Sequence, residues 1–256
     1  MVTTVYHPTA AVEVKARQLS LRLGVNYVPR RESSVPRLRS QHGAEALWIV
    51  SERELKYMNV HDAVLFFHPS TGILRVKRML KGEEDTLVRL AGIVPGTSVI
   101  DCTAGLASDS IVMSYASGET GKVTAIESDL NISTIIDEGL QTYVSEVPEL
   151  NEAMRRIQVR RMNHLDYLRS LSDDSVDIIY FDPMFRNAIA ESNSISPLRG
   201  TANDAPLTTD AIREAARVAR HRLVMKEHRD SEEFDRLGFS HVHRTYSKIA
   251  YGVINL

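Results

Sequence analysis

The residues best suited to chemistry lie in segment 180–185, where Asp182, Pro183, Met184 and Phe185 end a continuous apolar run. An amino group on an aromatic ring is a poor nucleophile, because its lone pair is delocalised into the ring. The Asp182 carboxylate and a backbone carbonyl can accept the two amino hydrogens and turn the lone pair towards an electrophile. Pro183 fixes φ and helps to aim the neighbouring carbonyls, and Phe185 can stack on the ring. The segment predicts an acceptor site for an aromatic amine; an ordinary Asp-Pro turn after a strand is the alternative.

A second candidate site is the turn after the predicted strand at residues 98–101. The residues predicted to bind a ligand there are Asp101, Thr103, Ala104, Gly105 and Asp109. Backbone N–H groups of a turn that opens a helix can approach a ligand closely. The turn lacks the Gly-Lys-Ser/Thr of a P-loop and the three glycines of a dinucleotide fingerprint. The Asp101 carboxylate favours a cationic ligand, such as one with a sulfonium and an ammonium group, over a pyrophosphate. A purely structural turn is the alternative.

Further charged side chains follow at the ends of later predicted strands. Glu127, with Ser128 beside it, could accept hydrogen bonds from both hydroxyls of a ribose. Asp166 could accept one from an adenine amino group, and Lys226 could contact a phosphate or a base. Each has an ordinary alternative: a strand-end charge in solvent or, for Asp166, an acid favoured by the dipole at a helix N-terminus.

These residues need a parallel sheet to bring them together, and the pattern after about residue 83 predicts one. Apolar runs separated by helical patterns predict strands at residues 98–101, 123–127, 157–159, 176–181 and 222–226. Two final strands, at residues 241–246 and 249–254, have no helix between them and predict a hairpin. The expected α/β fold is a mostly parallel sheet, covered on both faces, with one antiparallel strand and its ligands at the strands' carboxyl ends.

Residues 1–82 are expected to form a small α+β domain ahead of the main domain at residues 83–256. Thr9 is the predicted N-cap of a first helix, and Gly24 is its predicted stop. Prolines, serines and arginines at residues 30–43 indicate a loop or linker. The other predicted elements are a strand at residues 46–50 and a hairpin made of residues 64–67 and 73–76.

The composition is that of a globular protein, with 43% hydrophobic and 25% charged residues among 256 and a net charge of −2. The single cysteine, Cys102, excludes an intramolecular disulfide and a multi-cysteine metal site, and a buried hydrophobe is expected there rather than a nucleophile. His241 and His243 alternate on one strand with no further ligand in view, so no metal site is predicted. Neither a signal peptide nor an apolar run of roughly 20 residues is present, which predicts a cytoplasmic protein.

The turn at residues 101–105, Glu127, Asp166 and the segment 182–185 occur in an order that resembles class I S-adenosylmethionine-dependent methyltransferases. The last of them looks like the Asn/Asp-Pro-Pro-Phe/Tyr motif of amino-group methyltransferases. More narrowly, the chain from about residue 45 onward is similar to the bacterial family that methylates N2 of a guanine in small-subunit ribosomal RNA. That family combines an Asp-Ala-Thr-Ala-Gly-Leu-Gly-Arg-Asp turn, an Asp-Pro-Met-Phe-Pro motif and a Val-Val-Lys strand. The present chain departs from it at Ala107, Ser108 and Arg186, which replace Gly, Arg and Pro.

The resemblance implies a Rossmann-like fold with a seven-stranded sheet, the cofactor S-adenosyl-L-methionine and direct methyl transfer. The turn would hold the amino-acid end of the cofactor, Glu127 its ribose and Asp166 its adenine. Asp182 and the Pro183 carbonyl would orient the acceptor amine. Met184, Arg186 and Lys226 are the residues expected to contact the substrate.

RNA is the expected partner, because basic residues concentrate in the N-terminal part of the chain. They are Lys15, Arg17, Arg22, Arg30, Arg31, Arg37 and Arg39, followed by Arg75, Lys77, Arg78 and Lys81. Ordinary solvated charge is the alternative. The polar segment 186–209 is a candidate lid over a flipped base or a surface loop. Three other functions stay open: a methyltransferase for a small molecule or protein side chain, a non-catalytic domain that binds the cofactor or RNA, and, more distantly, a nicotinamide dehydrogenase.

Overall fold

The computed structural model describes residues 1–183, 206–244 and 247–256, which form two sheets and the helices around them. The strands are β1 (Val2–Thr4), β2 (Leu47–Val50), β3 (Leu55–Met58), β4 (Val64–Phe66), β5 (Ser98–Asp101), β6 (Lys122–Glu127), β7 (Gln158–Arg161), β8 (Val176–Phe181), β9 (Ala219–His228), β10 (His241–Arg244) and β11 (Ile249–Asn255). The helices are α1 (Ala10–Leu23), α2 (Val35–His42), α3 (Ser70–Leu80), α4 (Thr86–Ala91), α5 (Ser108–Ser117), α6 (Leu130–Thr142), α7 (Pro148–Arg156), α8 (His164–Arg169), α9 (Thr209–Val218) and α10 (Glu233–Arg236).

The larger sheet has seven strands in the order β10-β11-β9-β8-β5-β6-β7. The pairs β9–β8, β8–β5, β5–β6 and β6–β7 are parallel, whereas β11 runs antiparallel to both of its neighbours. The expected mostly parallel sheet with a C-terminal antiparallel hairpin is therefore confirmed. Because the five strands from β9 to β7 run the same way, their carboxyl ends share one edge, where such sheets bind ligands.

Successive side chains of a strand point to opposite faces of the sheet, so the apolar core lies in two parts, one on each face. On β8, Ile178 and Tyr180 pack into the cluster that contains α5 and α6, while Ile179 and Phe181 pack against α9 on the other face. The first cluster also takes in residues of the small sheet, such as Trp48. The segment before the large sheet is thus joined to it by a continuous apolar core.

The small sheet has the order β1-β2-β3-β4, with β1 parallel to β2 and the other pairs antiparallel. Thr9 caps α1 and Gly24 ends it in a left-handed conformation, as predicted. The linker expected at residues 30–43 is partly wrong, because α2 begins after Ser34, whose side chain accepts from the N–H of Arg37, and ends at Gly43. The cap residues outweighed the loop-like composition.

The hairpin expected from residues 64–67 and 73–76 is wrong in its second half. β4 pairs with β3, a strand that the sequence did not predict, and residues 73–76 lie within α3. Ile73 and Val76 are three residues apart, a spacing that puts both on one face of a helix, and both join the apolar core. Three more elements were not predicted, β1, α7 and α10. None of the helices in the described ranges is long and apolar enough to cross a membrane.

Candidate active site

The carboxyl edge of the large sheet collects most of the charged residues singled out by sequence. Asp101 ends β5, Glu127 ends β6 and Asp182 follows β8 directly. Lys226 lies near the end of β9, one position beyond the pairing of Phe181 with Met225. Strand order therefore places Lys226, Asp182, Asp101 and Glu127 on successive neighbouring strands.

The turn after β5 is built around the Asp101 carboxylate, which is almost completely buried. One of its oxygens accepts the N–H of Thr103 at 3.1 Å, and the other accepts the hydroxyl of Ser110 from the first turn of α5. Burial raises the pKa of Asp101 to about 7, with Ser110 opposing the rise and Asp109 adding to it. The carboxylate thus fixes the turn from beneath and leaves a group that titrates near neutral pH under it.

Two backbone positions of the turn have positive φ, Gly105 at 51° and Ala107 at 62°. Ala107 is the N-cap position of α5 and is fully buried. The left-handed region suits glycine, since it has no Cβ. The conformation explains why a glycine stands at this position in the family that the sequence resembles. The N–H of Ala104 donates to the carbonyl of Ile126 at 3.0 Å, so the turn rests on the neighbouring strand.

Glu127 lies against the same turn. Its Oε2 accepts the N–H of Gly105 at 3.2 Å, and its Oε1 accepts the N–H of Asp129 at 2.8 Å. Burial raises the pKa of Glu127, although these two backbone hydrogen bonds oppose the rise. Ser128 is exposed beside it. The predicted turn and the predicted ribose acid are therefore in direct contact.

Asp166 is exposed in the first turn of α8, beyond the end of β7. The cap of that helix is Asn163, whose side chain accepts the N–H of Leu165 at 2.9 Å. Asp166 is therefore not needed as a cap. The neighbouring His164 has a lowered pKa because it is largely buried, with Asp166 opposing the shift. The structure places Asp166 one strand beyond Glu127, at the far end of the row of strand-end acids.

Asp182 joins the turn to the end of β9. Its backbone N–H donates to the hydroxyl oxygen of Thr103 at 2.5 Å, and its Oδ2 accepts the ammonium of Lys226 at 2.6 Å. Burial raises the pKa of Asp182 to about 6, with Asp109 adding to the rise and Lys226 opposing it. Pro183 is half-buried next to it. The other predicted acceptor residues, Met184, Phe185 and Arg186, and most of the candidate lid, lie outside the described residues.

Lys226 is not the solvated strand-end lysine that was the ordinary alternative. Its side chain is 17% exposed, and its ammonium also donates to Oδ2 of Asp109 at 2.9 Å. The same Asp109 oxygen accepts the hydroxyl of Tyr180 at 2.9 Å. Burial alone would raise the pKa of Asp109, but Lys226 and Arg75 outweigh it and hold that pKa well below its usual range.

Arg75 belongs to this site and was misjudged from the sequence, where it was grouped with basic residues expected at the surface. Its guanidinium pairs with Asp85 and with Oδ1 of Asp109, and its side chain is only 19% exposed. One signal could have marked it: apolar residues that suit a buried helix stand two positions before it and one position after it. Ile73 and Val76 flank it in the core.

Other basic residues of the N-terminal part also have partners. Lys15 pairs with Glu138 at 2.5 Å, Arg22 with Asp137 at 3.1 Å and Arg39 with Asp62 at 2.7 Å. Arg31, Arg37, Lys77 and Lys81 are exposed.

Cys102 is buried, and burial together with Asp101 raises the pKa of its thiol well above the usual value. A thiolate nucleophile is not favoured there. Within the described ranges, no group of three or more His, Cys, Asp or Glu side chains is arranged to hold a metal ion.

Comparison with known proteins places this geometry in a family. Residues 36–247 match the model of a family described as "Putative SAM-dependent methyltransferase". A Bacillus subtilis (strain 168) protein named "Uncharacterized protein YpiP" is 40% identical over 254 residues, which are 99% of this chain and 98% of that protein.

A shorter similarity reaches a protein named for its substrate. "Ribosomal RNA small subunit methyltransferase J" of Pseudomonas paraeruginosa (strain DSM 24068 / PA7) is 29% identical over 162 residues, 60% of this chain and 59% of that protein. The crystal structure of a SAM-dependent methyltransferase from Neisseria gonorrhoeae superposes with a TM-score of 0.64 at 18% identity, covering 99% of this chain and 95% of that one. At that identity the superposition supports the fold.

The residues at the strand ends fit the cofactor of that family. The carboxyl groups of Asp101 and Glu127 beside the turn suit a ligand that carries an ammonium and a sulfonium group, because opposite charges attract. The single-glycine turn disfavours a pyrophosphate, and with it a dinucleotide. The chain belongs to the SAM-dependent methyltransferase family, with a Rossmann-like class I fold and S-adenosylmethionine as its cofactor.

Proposed function

We propose that this methyltransferase acts on an exocyclic amino group of an RNA base, and that the base is guanine, at N2, in small-subunit ribosomal RNA. The observation that carries the proposal is the position of Asp182. Its carboxylate follows the strand next to the cofactor turn, and its N–H is bonded to Thr103 of that turn. A hydrogen-bond acceptor for an amine is thereby tied to the loop that would hold the methyl donor.

The residues around the turn have separate roles in this proposal. Thr103, Ala104 and Gly105 present the backbone that holds the amino-acid end of the cofactor, with Asp101 beneath them. Glu127 and Ser128 hold the ribose, and Asp166 accepts from the adenine. Asp109 acts through its ion pairs. S-adenosylmethionine, when bound, supplies the electrophilic methyl carbon.

The acceptor residues then orient the amine for in-line attack. Asp182 and the Pro183 carbonyl accept its two hydrogens, which directs the lone pair away from the ring. Asp182 would accept the proton that the amine must lose when it takes the methyl group that S-adenosylmethionine would supply. Phe185 stacks on the base, with Met184, Arg186 and Lys226 at the edges of the substrate site. Holding the two reactants in line supplies much of the acceleration in such a transfer.

RNA as the substrate is supported by two observations. The similarity to ribosomal RNA small subunit methyltransferase J spans 60% of this chain. The exposed Arg31, Arg37, Lys77 and Lys81 lie in the part of the chain that precedes the large sheet. Cations of this kind can contact a phosphate backbone.

Mass spectrometry of ribosomal RNA nucleosides tests the proposal in cells that contain the protein, lack it or carry a variant. Loss of N2-methylguanosine from the small-subunit RNA is expected in cells without the protein and in cells with Asp182→Asn. Asp177→Asn is the matched control. Asp177 lies near the start of β8, the strand that Asp182 follows, at the opposite edge of the sheet, and it pairs with Arg220 at 2.9 Å. The control should restore the modification.

Calorimetry separates the cofactor from the substrate. The purified protein should bind S-adenosylmethionine and its demethylated product. An unchanged nucleoside profile with intact cofactor binding would refute the RNA substrate and favour a small molecule, a protein side chain or a purely binding role.

A further inference from the structure

Arg75 lies on α3, outside the seven-stranded sheet, yet its guanidinium reaches the candidate active site. Its Nε and one terminal nitrogen donate to the two oxygens of Asp85 at 2.7 and 2.8 Å, a two-point contact that fixes the plane of the group. The remaining terminal nitrogen donates to Oδ1 of Asp109. The pKa of Arg75 is raised by these carboxylates although burial opposes the rise, so it stays charged.

Asp85 is itself anchored. Its Oδ1 accepts the N–H groups of Leu87 and Val88 at 3.0 and 3.2 Å, which makes it the N-cap of α4. A carboxylate held by a helix start and by Arg75 has little freedom to move. Arg75 is therefore fixed at one end before it contacts Asp109 at the other.

From Asp109 the contacts continue to the acceptor carboxylate. The Lys226 ammonium bridges Oδ2 of Asp109 at 2.9 Å and Oδ2 of Asp182 at 2.6 Å. Asp109, Lys226 and Asp182 have side chains that are 9%, 17% and 25% exposed, so solvent screens their charges only in part. Four ion pairs in series thus run from Asp85 through Arg75, Asp109 and Lys226 to Asp182.

The charges in this series of ion pairs are nearly but not fully balanced. Two cations, Arg75 and Lys226, face three carboxylates, Asp85, Asp109 and Asp182. Without Arg75, the ammonium of Lys226 would be the one cation paired with Asp109 among the residues that the structure describes. It would be drawn towards Asp109 and away from Asp182, since both carboxylates compete for it.

We propose that Arg75 is a positioning residue for the acceptor carboxylate: it satisfies Asp109, so that Lys226 remains shared with Asp182 and holds its carboxylate in place. This inference rests on the proposed role of Asp182 and adds a residue from the segment that precedes the methyltransferase sheet. The close packing of α3 on α5 supports it, because a Cβ at Gly72 would lie only 2.9 Å from the carbonyl oxygen of Ser108. That contact sets the distance from Arg75 to Asp109 within narrow limits.

An NMR titration of the Asp182 carboxyl carbon in the full chain tests the proposal without any RNA. The signal is assigned by its loss in Asp182→Asn. Arg75→Gln, which keeps amide donors but removes the charge, should raise the pKa of Asp182 by about one unit. Arg89→Gln is the matched control, because Arg89 lies on the neighbouring helix α4 and forms an exposed ion pair with Glu84. It should leave the titration unchanged.

Arg75→Lys is the second variant and serves if Arg75→Gln does not fold. It keeps the charge but cannot bridge Asp85 and Asp109 with a planar group, so the titration should move in the same direction by a smaller amount. A titration that stays at the wild-type position in the folded variants would overturn the proposal.

The pH profile of methyl transfer supplies the second readout. In Arg75→Gln the acid limb of kcat should move to higher pH, while the KM for S-adenosylmethionine changes less than kcat. A shifted Asp182 titration in a protein that methylates no RNA would uphold the positioning role and refute the proposed substrate. A shifted KM with an unmoved acid limb would instead assign Arg75 to cofactor binding and contradict the inference.

Discussion

Asp101 and Asp182 are two carboxyl groups on neighbouring strands whose pKa values are both raised by burial, to about 7 and about 6. They differ in their partners. Asp101 is bonded to neutral groups, the hydroxyl of Ser110 and a backbone N–H. Asp182 is bonded to the cation of Lys226. Asp182 is consequently the more ionised of the two at neutral pH, as its proposed acceptor role requires.

The raised pKa of Asp101 predicts that it destabilises the folded protein as pH rises. The unfolded value is near 3.8 and the folded value about 7, so its stabilising contribution is present below the unfolded pKa and is lost as pH rises through the folded one. Between about pH 5 and about pH 8, the free energy of unfolding should fall by about 2–3 kcal/mol more in the wild type than in Asp101→Asn.

Denaturant unfolding at the two pH values measures this difference. Asp177→Asn is the control, since hydrogen bonds from Ser98 and the charge of Arg220 outweigh burial and lower the pKa of Asp177. Its contribution is complete above the unfolded value and should not change in this range. An equal change in the free energy of unfolding between the two pH values for the wild type and Asp101→Asn would contradict the raised pKa of Asp101.

Thr103 links the turn to Asp182 through one side-chain oxygen. Thr103→Val keeps the shape of the side chain and removes the acceptor, which leaves a backbone N–H without that partner at a cost of about 1–3 kcal/mol. The kcat of methyl transfer should fall about tenfold if misalignment of Asp182 removes about 1.4 kcal/mol of transition-state stabilisation.

Thr103→Ser retains the hydroxyl and should remain close to the wild type. Steady-state kinetics, together with calorimetry of cofactor binding, distinguishes the two roles of this residue. Weakened S-adenosylmethionine binding with an unaltered kcat would show that Thr103 serves the cofactor and not the alignment of Asp182.

At the scale of elements, α3 and α5 meet where the turn after β5 leads into α5. The hydroxyl of Ser108 donates to the carbonyl of Pro69 at 3.3 Å, and Gly72 lies directly against the Ser108 backbone. The first turn of α5 is therefore supported by a helix from the preceding part of the chain. A side chain at Gly72 would push against the turn that we propose holds the cofactor.

Gly72→Ala is expected to destabilise the fold by about 1–3 kcal/mol, because its Cβ would meet backbone and not a flexible side chain. The Kd for S-adenosylmethionine should rise as well, since the start of α5 must shift. Calorimetry and thermal unfolding measure the two effects. Leu74→Ala, on the same helix and 61% exposed, is the control that should change neither. Unaltered cofactor affinity in Gly72→Ala would show that the packing of α3 on α5 does not affect cofactor binding.

At the scale of the whole molecule, the small sheet and the large sheet share apolar core. Phe67, just after β4, fills the space over Gly139 on α6, where a Cβ would lie 2.1 Å from the ring. This packing holds the N-terminal segment against the methyltransferase sheet. Any RNA held by that segment would therefore be presented at a fixed position relative to the active site.

Reversing the charge of the exposed Arg31, Arg37, Lys77 and Lys81 to Glu should weaken RNA binding and flatten its salt dependence. Each lost phosphate contact should lower the slope of log affinity against log salt by about 0.7–0.9. Binding titrations at several salt concentrations measure it. Lys122→Glu, at the amino end of β6 on the opposite edge, is the control. Cofactor affinity should be the same in all variants. An unchanged slope of log affinity against log salt would mean that RNA binds to another surface.

Much of the fold and of the site could be predicted from sequence because their signals are local. The apolar runs at residues 98–101 and 176–181 coincide with β5 and β8 in full. A turn or an acid directly after such a run must lie at the carboxyl edge of a parallel sheet. The positions of Asp101, Glu127 and Asp182 at one edge follow from that rule alone.

The errors occurred where local signals compete. Residues 73–76 are apolar enough for a strand, but their three-residue spacing also suits a helix, and packing on α5 decided for α3. At residues 30–43, prolines and serines suggested a loop, although Ser34 and Gly43 are equally the caps of α2. Only the neighbours available for packing distinguish such alternatives.

The sequence by itself determined which candidate site residues follow each strand, because a strand and the turn after it depend on a few adjacent residues. Only the tertiary structure decided which charges neutralise one another there. Arg75 and Asp109 are separated by 34 residues, Asp182 and Lys226 by 44, and Asp109 and Lys226 by 117. Ion pairs of such separation depend on how α3, α5, β8 and β9 pack together, and no local pattern encodes that packing.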